Sequence, residues 1–81
     1  MEDWKERLLI ENRELTQRLM RLAEYIDSDN FQTLDELNRS YLELQKSAME
    51  QYKNILQKRI DLNITTAEVE EYSRTIENIV A

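Results

Sequence analysis

Leu42-Glu43-Leu44-Gln45-Lys46-Ser47-Ala48-Met49-Glu50-Gln51-Tyr52-Lys53-Asn54-Ile55-Leu56-Gln57-Lys58-Arg59 is the stretch on which the fold turns. Within it Leu42, Gln45, Met49, Tyr52, Leu56 and Arg59 recur at steps of 3, 4, 3, 4 and 3. That spacing sets all six on one face of an α-helix. Four are packing residues; Gln45 and Arg59 are polar. Either the two sit at the edge of a narrow seam, or they line a polar cavity between helices. A second stripe, Leu34, Leu37, Tyr41, Leu44, Ala48 and Ile55, runs beside the first. Together the stripes are too wide for one partner helix, so this helix is expected to meet both a helix of its own chain and another subunit.

The composition supports helices and little else. The 81 residues contain no Gly and no Pro, where an average protein has roughly 12% of the two together. Their absence argues against tight β-turns and Gly-rich phosphate loops, and for long uninterrupted helices. A single domain over residues 1–81 is expected, and a monomer of this size is marginal unless something reinforces it. The chain has no Cys and no His, which removes disulfides, thiolate metal sites and the commonest general base. Self-association is the reinforcement that remains. The net charge of −6 disfavours duplex DNA as a partner, because phosphate neutralisation needs a basic surface. A local basic pocket for a small anion stays open. No apolar run approaches the roughly 18 residues of a membrane span, and Met1-Glu2-Asp3-Trp4 does not read as a signal peptide, so a cytoplasmic protein is expected.

Three helices are expected, at about residues 4–26, 34–62 and 66–80. The first opens with Asp3 as cap and Glu6 three residues later, a capping-box pattern. Its stripe is Trp4, Leu8, Leu15, Leu19, Leu22 and Ile26, interrupted by Glu11, with Arg7 one turn before it on the same face. Asp27-Ser28-Asp29-Asn30 is a turn cluster and Phe31 is expected to plug the end of the hairpin. Thr33 to Glu36 and Thr65 to Glu68 read as two further capping boxes, with Ile64 and Val69 as a hydrophobic staple. Asn63 reads as a left-handed C-cap. The last helix carries Val69, Tyr72, Ile76 and Ile79 on its apolar face. The fold class is therefore all-α: an antiparallel two-helix hairpin plus a short C-terminal helix, assembling into a homo-oligomeric helical bundle.

No enzyme is expected. Motifs that require Gly, His or Cys cannot exist in this chain, and no catalytic residue, metal ligand or cofactor is assigned. In an antiparallel hairpin Arg59 falls near Arg7 and Glu11, with Trp4 and Tyr52 in the same layers. One reading is a pocket, with arginines for phosphate and aromatics for a ring. The other is an Arg–Glu–Arg ion network that sets helix register. Spacing leaves both open. Gln45 in a seam needs a partner, across a symmetry axis or on a ligand. Lys46, Lys53 and Lys58 flank that seam; most helical lysines are solvated, and these rank as secondary candidates.

The ordered pattern Trp4-x-x-Arg7-Leu8-x-x-Glu11, then Leu22-x-x-Tyr25-Ile26-x-Ser28-x-x-Phe31-x-x-Leu34, then Leu42-x-x-Gln45-x-x-x-Met49-x-x-Tyr52-x-x-Ile55-Leu56-x-x-Arg59-Ile60 resembles a family of very small phage-encoded helical-hairpin proteins. They are found in tailed phages, including crAss-like phages. The resemblance spans about Trp4 to Leu62 and leaves out the tail from Asn63 to Ala81. Proteins that look like this include sponges for the nucleotide second messengers of bacterial defence: cyclic dinucleotides and trinucleotides of CBASS systems, or cyclic ADP-ribose-type signals of Thoeris systems. The resemblance implies stoichiometric binding without turnover, in a homo-oligomer such as a tetramer or hexamer, in the host bacterial cytoplasm. It carries ligand-binding roles onto Trp4, Arg7, Glu11, Gln45, Tyr52 and Arg59. Arg7 and Arg59 would meet phosphates, Trp4 and Tyr52 would stack on rings, and Gln45 would read a base or ribose edge. Glu11 would orient an arginine or accept from a base amine. A different class of function, a helical module that binds and inhibits a host protein, would leave Arg59 structural. The sequence separates neither the nucleotides nor the subunit counts.

Overall fold

The computed structural model describes residues 3–80, with side chains described as far as Glu77. Four helices follow in order: α1 (Trp4–Ile26), α2 (Asp29–Gln32), α3 (Glu36–Asn63) and α4 (Thr66–Val80). No strand occurs among the described residues. α1 and α3 form the antiparallel hairpin, and α4 lies back against α1. Ile79 of the expected α4 face lies outside the described side chains.

Each helix begins and ends for a local reason. Asp3 caps α1 by accepting from the Lys5 backbone N–H at 2.9 Å. At the start of α4 the Thr65–Glu68 box closes in both directions. Glu68 N–H donates to Thr65 Oγ1 at 3.2 Å, and Thr65 N–H donates to Glu68 Oε1 at 3.1 Å. The box expected from Thr33 does not form. The Thr33 hydroxyl instead donates back to the Asn30 carbonyl at 2.6 Å, closing the one-turn helix α2. α3 starts after Asp35, whose carboxylate accepts from the Asn38 amide at 2.5 Å. Nor does Asn63 adopt the left-handed cap: no described residue has positive φ. Its amide donates to the Arg59 carbonyl at 2.8 Å, and α3 ends because Ile64 turns extended and enters the core.

Leu8 and Leu15 of α1 meet Leu56, Ile60 and Ile64, with Met49 and Val69 packed against them. Phe31 is buried at the hairpin tip, edge-on to Tyr25 with ring centroids 6.3 Å apart. The inward face of α3 is turned slightly from the seam read in the sequence. It runs through Leu42, Lys46, Met49, Lys53, Leu56 and Ile60. The lysines lie half-buried along it, as a long apolar stem with a hydrated charge allows. Gln45 and Arg59 are accordingly exposed at the seam's edge rather than inside it. The far face of α3 is uncovered, with Leu37, Tyr41, Leu44 and Ile55 all more than half exposed.

α4 is held to the start of α1 by polar contacts around buried Ile76. The Tyr72 hydroxyl donates to Asp3 Oδ2, Lys5 pairs with Glu68 at 3.2 Å and Arg13 with Glu77 at 3.4 Å. The Tyr72 bond, ahead of the Lys5 N–H bond, holds Asp3 below its ordinary 3.8. The Thr65 N–H and then Lys5 hold Glu68 below 4.5. Bonding to Asp3 pushes Tyr72 up from 10.0 to about 12.

Two outcomes follow from this packing. Leu56→Ala leaves a cavity at the most buried side chain and should destabilise the chain by about 2–5 kcal/mol in denaturant melts. The clasp should weaken at both pH extremes. Asp3 and Glu68 have depressed folded values, so their contribution is present above 4.5 and lost as pH falls through the folded values. Tyr72 has a raised value, so its contribution is present below 10.0 and lost as pH rises toward about 12. Thermal melts across pH should show both limbs, and Tyr72→Phe should remove the alkaline one.

Candidate functional site

The first three turns of α1 put Trp4, Arg7, Leu8 and Glu11 on adjoining faces, because residues three and four apart are neighbours on a helix. The antiparallel hairpin brings the C-terminal half of α3 across from them. The result is a surface hollow of about 220 Å³ lined by Trp4, Arg7, Leu8, Glu11 and Arg59. Leu8 is buried and forms its floor, while Trp4 and Arg59 stand exposed at its rim. A second open hollow of about 340 Å³, lined by Arg7, Ile10, Glu11, Glu14 and Arg18, meets the first at Arg7 and Glu11.

Tyr52 joins the group from α3, its hydroxyl donating to Glu11 Oε2. This bond ties the two helices at the hollow's edge and occupies one lone-pair site of the carboxylate. Among the described residues no ion pair or side-chain hydrogen bond engages the Arg59 guanidinium, and none of their ion pairs joins Glu11 to Arg59. The Arg–Glu–Arg network considered from spacing is therefore not formed through Arg59. The hollow sets the Arg7 and Arg59 guanidinium groups beside the Glu11 carboxylate. Planar guanidinium forks suit phosphate, and the Trp4 and Tyr52 rings can stack on a planar group.

Five of the six residues singled out in the sequence thus converge: Trp4, Arg7, Glu11, Tyr52 and Arg59. Gln45 does not. It is seven residues before Tyr52, about 10 Å along the helix axis, and its amide contacts Met49 Sδ at 4.0 Å.

Sequence reasoning missed two features. One is the Asp3–Tyr72 and Lys5–Glu68 clasp, whose partners are too far apart in the chain for any local spacing to announce. The other is a hollow of about 390 Å³ at the hairpin tip, lined by Phe31, Gln32, Glu36, Arg39, Ser40 and Glu43. Among the described residues, no group of three His, Cys, Asp or Glu side chains is placed to hold a metal ion. Among the described residues, no helix is long and apolar enough to cross a membrane.

Residues 2–62 match the Sequestin family. The chain belongs to the Sequestin family. The match fits the small phage anti-defence sponges that the sequence resembles. It covers the hairpin and the whole hollow, and it stops at Leu62, leaving α4 outside. No curated protein and no solved structure matches this Sequestin. The family's name speaks of sequestration, which is binding rather than turnover.

The Tyr52–Glu11 bond makes a prediction. Tyr52→Phe keeps the ring but frees the Glu11 carboxylate, so it should cost about 0.5–1.5 kcal/mol of stability in denaturant melts. The helical circular-dichroism signal should be unchanged.

Proposed function

We propose that this Sequestin sequesters a nucleotide second messenger of bacterial anti-phage defence, a cyclic oligonucleotide or a cyclic ADP-ribose-type signal, and does not cleave it. The observation that carries this reading is the convergence of Arg7, Arg59, Glu11, Trp4 and Tyr52 at one end of the hairpin. Phosphates of such a ligand would bridge Arg7 and Arg59, and its rings would stack on Trp4 and Tyr52. Glu11 keeps acceptor capacity for a base amine or ribose hydroxyl. A sponge must bind below the level that triggers the host effector. That requires nanomolar affinity, about −12 kcal/mol, which several charge-assisted bonds and ring stacking can supply. The sponge would act in the host cytoplasm as a homo-oligomer, the uncovered face of α3 supplying the contact between copies.

The test is a thermal-shift panel of cyclic dinucleotides, cyclic trinucleotides, and linear and cyclic ADP-ribose isomers. A ligand at 100 times its dissociation constant adds about 2.7 kcal/mol of stability, which moves the melting point of so short a chain by several degrees. A large shift with one class supports the sponge and names its target. Arg59→Ala should then weaken binding by at least about tenfold while the assembly persists. A flat panel with folded protein overturns the reading in favour of a module that binds a host protein.

A further inference from the structure

The uncovered face of α3 has a regular period. Leu37, Leu44, Gln51 and Lys58 alternate with Tyr41, Ala48, Ile55 and Leu62 at steps of four and three. This is the heptad spacing of a two-helix seam. It lies opposite the face that packs on α1, and every one of its members is exposed. Leu44 is 63% and Leu62 82% exposed. The stripe is about 38 Å long. Covering its large apolar side chains would bury on the order of 600 Å² per copy, about 1,200 Å² in all, which reaches the size of a stable protein interface.

Charge and symmetry select the occupant. A parallel pairing with a second copy sets Lys58 against the partner's Lys58 and Gln51 against the partner's Gln51 inside the seam. An antiparallel pairing has one register in which every position finds a complement. Leu37 meets the partner's Leu62, and Leu44 meets the partner's Ile55. Lys58 then lies over the partner's Tyr41 ring, a favourable cation–π arrangement, and Ala48 makes room for the partner's Gln51. The edge positions between this seam and α1 are Asn38, Gln45, Tyr52 and Arg59. In this register they pair without opposing like charges, Asn38 with the partner's Arg59 and Gln45 with the partner's Tyr52.

We infer that α3 pairs antiparallel with α3 of a second copy about a two-fold axis near Met49 and Glu50, and that the partner's Gln45 completes each hollow. Within one chain Gln45 lies fourteen residues from Arg59, about 21 Å along the helix. The partner's Gln45 lies level with Asn54, between Tyr52 and Arg59, which cuts that separation to about 8 Å along the helix. The hollow of about 220 Å³ is smaller than the roughly 300–1,000 Å³ of typical ligand sites, and the partner helix supplies its missing wall. The completion of the site rests on the ligand reading above; the pairing rests on the stripe alone.

The chain has no Cys, so introduced thiols report contacts cleanly. Leu44→Cys with Ile55→Cys should give a disulfide-linked dimer on mild oxidation. The two positions are about 16 Å apart along one helix and cannot close within a chain. Leu44→Cys alone should not cross-link, whereas a parallel pairing would link it readily. Leu44→Glu, at a position exposed in the single chain, should keep the helical signal and sediment as a monomer. A Leu44→Glu protein with the wild-type mass, or a single Leu44→Cys that cross-links as well as the pair, overturns the pairing. Shared sites have a further signature, read by calorimetry with 3′,3′-cyclic di-AMP and cyclic ADP-ribose as probes. Gln45→Ala and Arg59→Ala proteins should each bind poorly. Their mixture should regain about a quarter of the wild-type sites, because each mixed dimer holds one intact hollow. Gln45→Ala protein that binds as wild type overturns the completed site. Wild-type protein that binds neither probe overturns the ligand reading and the completion with it, and leaves the cross-links to decide the pairing.

Discussion

Everything in this fold depends on one narrow ridge, where Leu8 and Leu15 of α1 meet Leu56, Ile60 and Ile64. Two helices can cover only one strip of each other, and the third long helix packs mainly on α1. The ridge therefore sorts the sequence. What lies on it is buried, what lies one step to its side is half-covered, and what lies behind it faces water. The polar residues of the hollow stand at the side of the ridge, where a guanidinium stays hydrated. Placed on the ridge itself, the same arginine would have to be desolvated and paired on folding.

The hollow sits at the end of the hairpin where α1 begins and α3 ends. That placement gives a rigid floor, Leu8, and a rim of long side chains from two helices. The Tyr52–Glu11 bond fixes the height at which the two helices face each other. The floor takes its geometry from the packing of the two helices, whereas the exposed rim side chains keep their rotamer freedom.

Features written in local chemistry were legible in the sequence. α1 was readable from its stripe and its Asp3 cap, the start of α4 from Thr65 and Glu68, and the hairpin plug from Phe31. The convergence of Trp4, Arg7, Glu11, Tyr52 and Arg59 followed once the hairpin was antiparallel. The failures have causes that residue spacing does not display. Thr33 resembles a cap but its hydroxyl is claimed by Asn30. Asn63 resembles a left-handed stop, yet the burial of Ile64 ends the helix without one. Lys46 and Lys53 read as solvated flanks because composition does not show a lysine stem lying along a core. Counting them outward placed Gln45 too far inward.

The clasp between α4 and α1 has a kinetic meaning. The hairpin's contacts close around a short turn, whereas Lys5–Glu68 and Asp3–Tyr72 join residues separated by 63 and 69 positions. Such contacts bear a larger loop-closure entropy unless the hairpin has already shortened the path between them. The chain thus has a built-in order of assembly, in which the low-contact-order hairpin zips first and α4 latches onto a finished surface. The same order run backwards makes α4 the first element to open, so its amide hydrogens should exchange by local detachment while those of α1 and α3 wait for the ridge to part.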